Sequence, residues 1–279
     1  MRRREIDPAT LRRLYLDDHR TTPEIASALR CGATTIRRRL RAYGIDVRPR
    51  GPEPGRARGW TQSWSPTRSW SWSPQLAYAV GVIATDGYLG RDGRTLDVSS
   101  KDVDLLDRAS LGLDAPIRRR SSGNKTCFRL DWRDPVLHRW LCDIGLMPAK
   151  SLRLGPLAVP DEWFPDFLRG CIDGDGSIVT YTDRWHTAKN PAYVYERLYV
   201  SLVSASPPFL HWINDTAARL IGVRATVWQG RGRRCALLRY PMKKSRAIIR
   251  WIYDRPDLPC LARKRLKALP FLDAPLLLK

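Results

Sequence analysis

Two short segments of the sequence share one pattern, which constrains the fold more than any other feature. Each runs from a proline through small and apolar residues to an aspartate followed by glycine, at 74–87 and 165–176. Proline favours the first turn of a helix, and glycine favours its end. Both segments are therefore predicted to be short helices, with Asp86 and Asp175 at their C-terminal ends.

Carboxylates at these positions point to a cation. A helix is already negative at its C-terminal end, so a carboxylate there is unfavourable unless positive charge compensates it. A single Asp-Gly pair is typical of an ordinary turn. Two copies, with Gly81 and Gly170 at matching positions, predict helices that approach closely and bring Asp86 and Asp175 together. The pair is a candidate metal site.

The repeat extends beyond the two helices. Alternating segments at 95–99 and 198–202 match each other as strands, and each is followed by a helix predicted to end in a glycine turn, at Gly112 and Gly222. A basic hairpin and a further helix follow in both halves. The pattern predicts an α+β fold built from two pseudo-symmetric αββαββα units.

The predicted larger domain covers 74–279, with repeat one at about 74–155 and repeat two at about 160–270. The second repeat carries extra residues between Val179 and Arg197, which are interpreted either as a longer hairpin or as a flexible insertion.

At these motifs the sequence resembles the LAGLIDADG homing endonucleases, in the single-chain form that carries two motifs. The nine-residue pattern falls on Ala79–Gly87 and Leu168–Gly176. The resemblance implies saddle-shaped antiparallel sheets on double-stranded DNA and hydrolysis of one phosphodiester per strand. It also implies that Asp86 and Asp175, rather than Asp173, are the catalytic carboxylates.

The same resemblance implies Mg²⁺ as cofactor, with Mn²⁺ able to substitute. Its expected ligands are Asp86 and Asp175, with Thr85 and Gly174 beside them. Lys243, at a strand-to-helix junction, and Lys101, after a different strand of the first half, are the candidate catalytic lysines. Ordinary phosphate contact is the alternative interpretation of both lysines.

The composition agrees with a nucleic-acid partner. Lys and Arg number 49 against 28 Asp and Glu, a formal net charge of +21. No apolar run approaches the roughly 20 residues of a membrane span, so no membrane partner is predicted, and a cytoplasmic, DNA-associated protein is expected. The six cysteines form no Cys-x-x-Cys pair, so neither a zinc site nor a disulfide framework is indicated.

The first 45 residues are predicted to form a helix-turn-helix domain. Asp7 and Thr21 are suitable caps for two helices, and a third, at about 33–43, places Ile36 and Leu40 on one face and arginines on the other. An arginine-rich solvated helix is the alternative. Residues 46–73 are predicted to be a linker, with tryptophans that dock on the protein rather than on nucleic acid.

The candidate DNA contacts are polar and basic residues of the third helix, the linker, the hairpins and the second-half insertion. They are Thr34, Thr35, Arg37, Arg38, Arg41, Arg48, Arg50, Arg118, Arg120, Arg129, Arg184, Lys189, Arg197, Gln229, Arg231 and Arg239.

Three functions fit this sequence. The first is a homing endonuclease that acts as a monomer on a long, imperfectly palindromic DNA target, because one chain carries two unequal halves. The second is a catalytically inactive DNA-binding regulator on the same scaffold, and the third is an RNA-binding intron maturase. Retention of both Asp86 and Asp175 favours the nuclease.

Overall fold

The computed structural model describes residues 6–18, 20–47, 69–113, 117–122, 125–255 and 257–272. The chain divides into two compact units, Met1–Gln62 and Ser63–Lys279. Most of the predicted linker, with Arg48 and Arg50, lies outside the described residues. Within the described part of the chain, no helix is long and apolar enough to cross a membrane.

The first unit is all-helical in its described part. Helix α1 (Pro8–Arg12) continues into a π-helical turn (Arg13–Asp17) and is followed by α2 (Thr22–Ala28) and α3 (Ala33–Ala42). The predicted caps are present: Asp7 accepts from the backbone of Thr10 at 2.9 Å, and Thr21 and Glu24 form a reciprocal capping box. The core is made by Leu11, Tyr15, Ile25, Ile36 and Leu40.

The second unit contains the two predicted αββαββα repeats. The first consists of α4 (Pro74–Asp86), β1 (Gly87–Leu89), β2 (Thr95–Ser100), α5 (Val103–Leu113), β3 (Ile117–Ser122), β4 (Lys125–Arg133) and α6 (Pro135–Asp143), followed by a 3₁₀ turn at Lys150–Leu152.

The second repeat has the same order. It consists of α7 (Phe164–Asp173), β5 (Gly176–Asp183), β6 (Tyr195–Ser204), α8 (Pro207–Ile221), β7 (Thr226–Trp228), β8 (Ala236–Tyr240), α9 (Met242–Ile252) and an additional helix, α10 (Ala262–Leu272). The extra residues between Val179 and Arg197 lengthen the β5–β6 hairpin, as the longer-hairpin interpretation predicts.

The strands form two antiparallel sheets of equivalent order. Sheet one is β1-β2-β4-β3, and sheet two is β5-β6-β8-β7. Alternate residues of β6, namely Leu198, Val200 and Leu202, face the helices. The inner faces of both sheets and the helices share one hydrophobic core.

Helices α4 and α7 pack against each other at the centre of this core. A Cβ atom added to Gly81 would lie 2.2 Å from the carbonyl oxygen of Phe167, and one added to Gly170 would lie 2.1 Å from that of Tyr78. The predicted close approach is therefore confirmed, because only glycine permits this separation of the two backbones.

The two predicted glycine turns have different outcomes. Gly222 ends α8 in the left-handed conformation, with φ of 68°. The prediction for Gly112 is wrong, since this residue lies within α5, where an added Cβ would meet the carbonyl oxygen of Gln75 at 2.2 Å. A helix–helix contact with α4, rather than a turn, requires glycine there.

Two tryptophans of the predicted linker dock on the second unit. Trp70 packs edge-on against Trp132, with ring centroids 5.9 Å apart, and Trp72 packs against Trp140 at 4.9 Å. Docking on protein is therefore confirmed for Trp70 and Trp72, the two linker tryptophans that the structure describes.

We expect Gly81→Ala to destabilise the second unit by about 1–3 kcal/mol or more, because the new methyl group would overlap the backbone of α7. Chemical denaturation followed by tryptophan fluorescence measures the change. Gly155→Ala is the matched control, since its added Cβ would meet no atom within 4 Å. Equal unfolding midpoints for the two variants would contradict the close packing of α4 against α7.

Candidate active site

The ends of α4 and α7 carry the two candidate catalytic carboxylates. Asp86 is the last residue of α4, and Asp175 follows two residues after the end of α7. Gly174 lies directly against the first helix end, because an added Cβ would be 2.4 Å from Oδ2 of Asp86. The structure thus brings Asp86, Thr85, Gly174 and Asp175 together, as the paired motifs predict.

The two carboxylates influence each other. The pKa of Asp86 is raised, first because neighbouring protein atoms remove part of its hydration and second because of the charge of Asp175. Burial likewise raises the pKa of Asp175. Both side chains remain accessible to solvent. Two mutually repelling carboxylates open to solvent favour the binding of a cation.

Two buried lysines lie beside this pair, one from each repeat. Lys150 Nζ donates to the carbonyl oxygen of Gly87 at 2.6 Å, and Lys264 Nζ donates to that of Gly176 at 2.8 Å. Gly87 and Gly176 are equivalent glycines of the two motifs, so the lysines are related by the same pseudo-symmetry. The positive charges of both lysines lower the pKa of Asp86 and of Asp175.

Burial also shifts the pKa values of the two lysines. It lowers the pKa of Lys150, an effect that the charges of Asp86 and Asp175 oppose. It lowers the pKa of Lys264 to about 8, with the strongest opposition from Asp173. Lys264 Nζ also donates to the carbonyl oxygens of Ile172 and, at 2.8 Å, Asp173. It therefore supplies positive charge at the C-terminal end of α7, where the helix dipole is negative.

Sequence reasoning missed both lysines. Lys264 lies on the buried stripe of α10 that also contains Ala268 and Phe271, so a lysine at an apolar helical position was the available signal. Lys150 begins the 3₁₀ turn that follows α6 and is only 6% exposed. The sequence around Lys150 contains no comparable periodic pattern of apolar residues.

Lys101 and Lys243, the lysines chosen from the sequence, are exposed. Lys101 follows β2 and precedes Asp102, whose carboxylate accepts from Arg263 at 2.9 Å. Lys243 lies in the first turn of α9. Their catalytic roles stay predictions, whereas the cations that act on both carboxylates are Lys150 and Lys264.

Asp173 has a different environment from Asp175. It is 1% exposed and accepts from the hydroxyl of Tyr78 at 2.9 Å and from the backbone of Leu261 at 2.8 Å. Burial raises its pKa to about 6. Ala84 occupies the equivalent position in α4, so the first repeat has no such carboxylate. Asp173 links α7 to α4 and to the segment before α10.

The chemistry of the donors fits a hard divalent cation. The two carboxylates, the Thr85 hydroxyl and the Gly174 carbonyl present oxygen alone, which Mg²⁺ prefers. The Thr85 hydroxyl already donates to the carbonyl oxygen of Val82 at 3.1 Å, and Gly174 accepts from Lys264 at 3.5 Å. Among the described residues, no three His, Cys, Asp or Glu side chains cluster as a metal site, so water or phosphate would complete the coordination.

The predicted DNA contacts lie on several surfaces. On α3, Thr34, Arg38 and Arg41 are exposed, and Thr35 and Arg37 are half-buried. In the second unit, Arg184, Lys189, Gln229, Arg231 and Arg239 are exposed. Arg129 pairs with Asp97 in sheet one, and Arg197 pairs with Asp183 at 2.8 Å in sheet two. Strand β3 contains Arg118 and Arg120, whose side chains lie outside the described part.

Comparison of the fold with solved structures gives several similar proteins. The homing endonuclease I-WcaI bound to its DNA recognition sequence matches with a TM-score of 0.50 and 10% identity, over 77% of this chain and 95% of that one. The fold is that of the LAGLIDADG homing endonucleases. At 10% identity, this similarity shows the fold alone.

Two further structures show weaker likeness. The homing endonuclease I-DmoI in mesophilic variants matches with a TM-score of 0.47 and 15% identity, over 69% of this chain and 96% of that one. Full-length DUF199/WhiA from Thermatoga maritima matches with a TM-score of 0.45 and 14% identity over 73% of this chain, which spans 62% of the length of that protein. No protein-family model matches the sequence, and no curated protein matches it.

Proposed function

We propose that this protein is a site-specific endonuclease that hydrolyses one phosphodiester bond in each strand of double-stranded DNA. The observation that carries the proposal is the placement of Asp86 and Asp175 at adjoining helix ends beside Lys150 and Lys264. Two carboxylates attract divalent cations, and two ammonium groups attract phosphate. Metal-assisted hydrolysis of a phosphodiester uses a divalent cation to activate water, and fixed positive charge stabilises the transition state at phosphate.

Asp86 and Asp175 would hold Mg²⁺, with the Thr85 hydroxyl and the Gly174 carbonyl as additional oxygen donors. When bound, the ion supplies a coordinated water of lowered pKa and stabilises charge on the leaving oxygen. Mn²⁺ substitutes because it accepts the same oxygen donors. The carboxylate repulsion that raises the pKa of Asp86 favours a cation between the two groups.

Lys150 and Lys264 act as positioned charges. Each is fixed through its bond to a motif glycine carbonyl, so its charge stays near the carboxylates without rotamer freedom. A preorganised cation stabilises negative charge that develops at phosphate in the transition state. Lys101 and Lys243, which are exposed, are candidates for phosphate contacts outside the carboxylate pair.

The proposed partner is a long, imperfectly palindromic duplex bound by one copy of the chain. The net charge of +21 supplies attraction to the phosphates. The two repeats present equivalent sheets of different length and composition, so they would read unequal half-sites. The first unit would add α3 as a recognition helix, which the exposure of Arg38 and Arg41 supports.

The function is tested with the full-length protein and duplexes enriched from a random pool. Cleavage of the enriched duplex should require Mg²⁺ or Mn²⁺. It should fall at least about 100-fold in Asp86→Asn and in Asp175→Asn, since loss of a ligand exceeds the 10–100-fold effect of outer-shell changes. Duplex affinity measured in Ca²⁺ should be retained. Asp143→Asn, at an exposed position on α6, is the control.

Three outcomes separate the alternatives. Specific duplex binding without cleavage under any metal would identify the DNA-binding regulator. Preferential binding and splicing of an intron RNA would identify the maturase. Cleavage that persists without divalent metal, or in either Asp→Asn variant, would contradict the proposed roles of Asp86 and Asp175.

The role of the first unit is tested by removing Met1–Gln62, which contains 15 arginines and seven acidic residues. We expect weaker binding and a shallower fall of log affinity with log salt, because each lost phosphate contact reduces the slope by about 0.9. The cut position should not move. In the full chain, Arg38→Ala should change base preference at one end of the target if this side chain reads a base.

An unchanged affinity and salt slope after the truncation would exclude the first unit from DNA binding. It would leave the proposed nuclease activity of the second unit intact.

A further inference from the structure

The two sheets contain rows of residues at equivalent positions. In sheet one Gly87 pairs with Val98, and in sheet two Gly176 pairs with Leu202. The next residues along β2 and β6, Ser99 and Val203, therefore occupy matching places relative to the two motif aspartates. Both point away from the core, since their neighbours Val98 and Leu202 point into it.

The row that starts at Ser99 is polar. Ser99 pairs with Arg129 of β4, and Arg129 in turn pairs with Arg118 of β3. The guanidinium of Arg129 forms an ion pair with Asp97 and lies 4.0 Å from Asp131. Ser99 and Arg129 form the polar row of sheet one.

The matching row of sheet two is apolar. Val203 pairs with Leu237 of β8, and Leu237 pairs with Trp228 of β7. Val203 is 41% exposed and Trp228 is 60% exposed. Val203, Leu237 and Trp228 form the apolar row, a stripe of hydrophobic side chains across three strands on the face opposite the core.

The surroundings of the apolar row favour nucleic acid over protein as its partner. The adjacent row contains Arg239, paired with Ser201 and Thr226. The guanidinium of Arg239 lies 3.9 Å from the centre of the Tyr199 ring. The loop beyond Trp228 contains a series of exposed basic and amide side chains, Gln229, Arg231, Arg233 and Arg234. An apolar stripe bordered by cations complements a groove whose edges are phosphates and whose floor contains methyl groups.

We propose, on the basis of the nuclease function above, that the apolar row contacts the C5-methyl groups of thymines, whereas the polar row contacts guanine. In the major groove the thymine methyl is recognised by apolar side chains, and the O6 and N7 of guanine are recognised by arginine. The salt bridge to Asp97 holds Arg129 in a fixed orientation, as a guanine contact requires.

This assignment specifies how the target departs from a palindrome. Because the rows are related by the pseudo-symmetry of the repeats, they meet the DNA at equal distances from the centre of cleavage. One half-site therefore has thymine where the other has guanine. Removal of one contacted methyl, by replacing thymine with uracil, should weaken binding about fourfold, the value for one buried methyl-sized group.

The first experiment uses the full-length protein and the duplex that it enriches from a random pool. Uracil is substituted for thymine at each position of one half-site and then of the other, and affinity is measured in Ca²⁺. At the matched position of the half-site that contains thymine there, uracil should weaken binding. In the other half, 7-deazaguanine, which lacks N7, should weaken binding instead.

The second experiment transplants the polar row into sheet two. The variant Val203→Ser/Leu237→Arg changes residues on the outer face, so its thermal unfolding should match that of the wild type. The enriched target should become more nearly palindromic, with guanine replacing thymine in one half. The sensitivity of that half to uracil should disappear. The control, Ser99→Ala, should leave that half unchanged.

The outcomes distinguish the inference from the function on which it rests. If no duplex is enriched, the proposed function fails. If a duplex is enriched but uracil affects both halves equally or neither, the inference fails and DNA binding stands. Self-association of the wild type that is lost in Val203→Ser/Leu237→Arg would also overturn it, because the apolar row would then be a contact between two copies of the chain.

Discussion

The contact between α4 and α7 is the constraint on which the second unit depends. Gly81 and Gly170 allow the two backbones to meet, and each added Cβ would come within 2.2 Å of a carbonyl oxygen of the other helix. The contact joins the repeats in one core and fixes the spacing between the ends of the helices. Since Asp86 and Gly174 lie at those ends, the same packing that stabilises the fold also determines the geometry of the site.

The electrostatics of the site follow from this geometry. Placing two carboxylates at adjoining C-terminal helix ends is unfavourable, because each adds negative charge where the dipoles are negative. Lys150 and Lys264, which are buried and bonded to the carbonyl oxygens of Gly87 and Gly176, compensate this negative charge from inside the protein. The site therefore has fixed cations on its buried side and accessible carboxylates on its solvent side, an arrangement suited to receiving a metal ion and phosphate from solution.

Local patterns made much of this fold predictable. Proline, glycine and the alternation of apolar residues define α4, α7 and the strands, and the repeated order defines how they pair. Lys150 and Lys264 were not found, because each lies more than 60 residues after the aspartate it accompanies and reaches the site only through tertiary packing. The contrast between the polar and apolar rows depends on strand register, which the sequence alone did not specify. Gly112 was misinterpreted because a turn and a close helix contact both require glycine.

The coupling of Asp86 and Asp175 in a single site is tested most directly by the titration of Asp86 with carbon-detected NMR. In the wild type without metal, the charge of Asp175 raises the pKa of Asp86. Replacement of Asp175 by asparagine should therefore lower the pKa of Asp86, because the repelling charge is removed while the fold is retained. An Asp86 titration that is the same in both proteins would show that the carboxylates do not interact, and would contradict a single coupled site at the ends of α4 and α7.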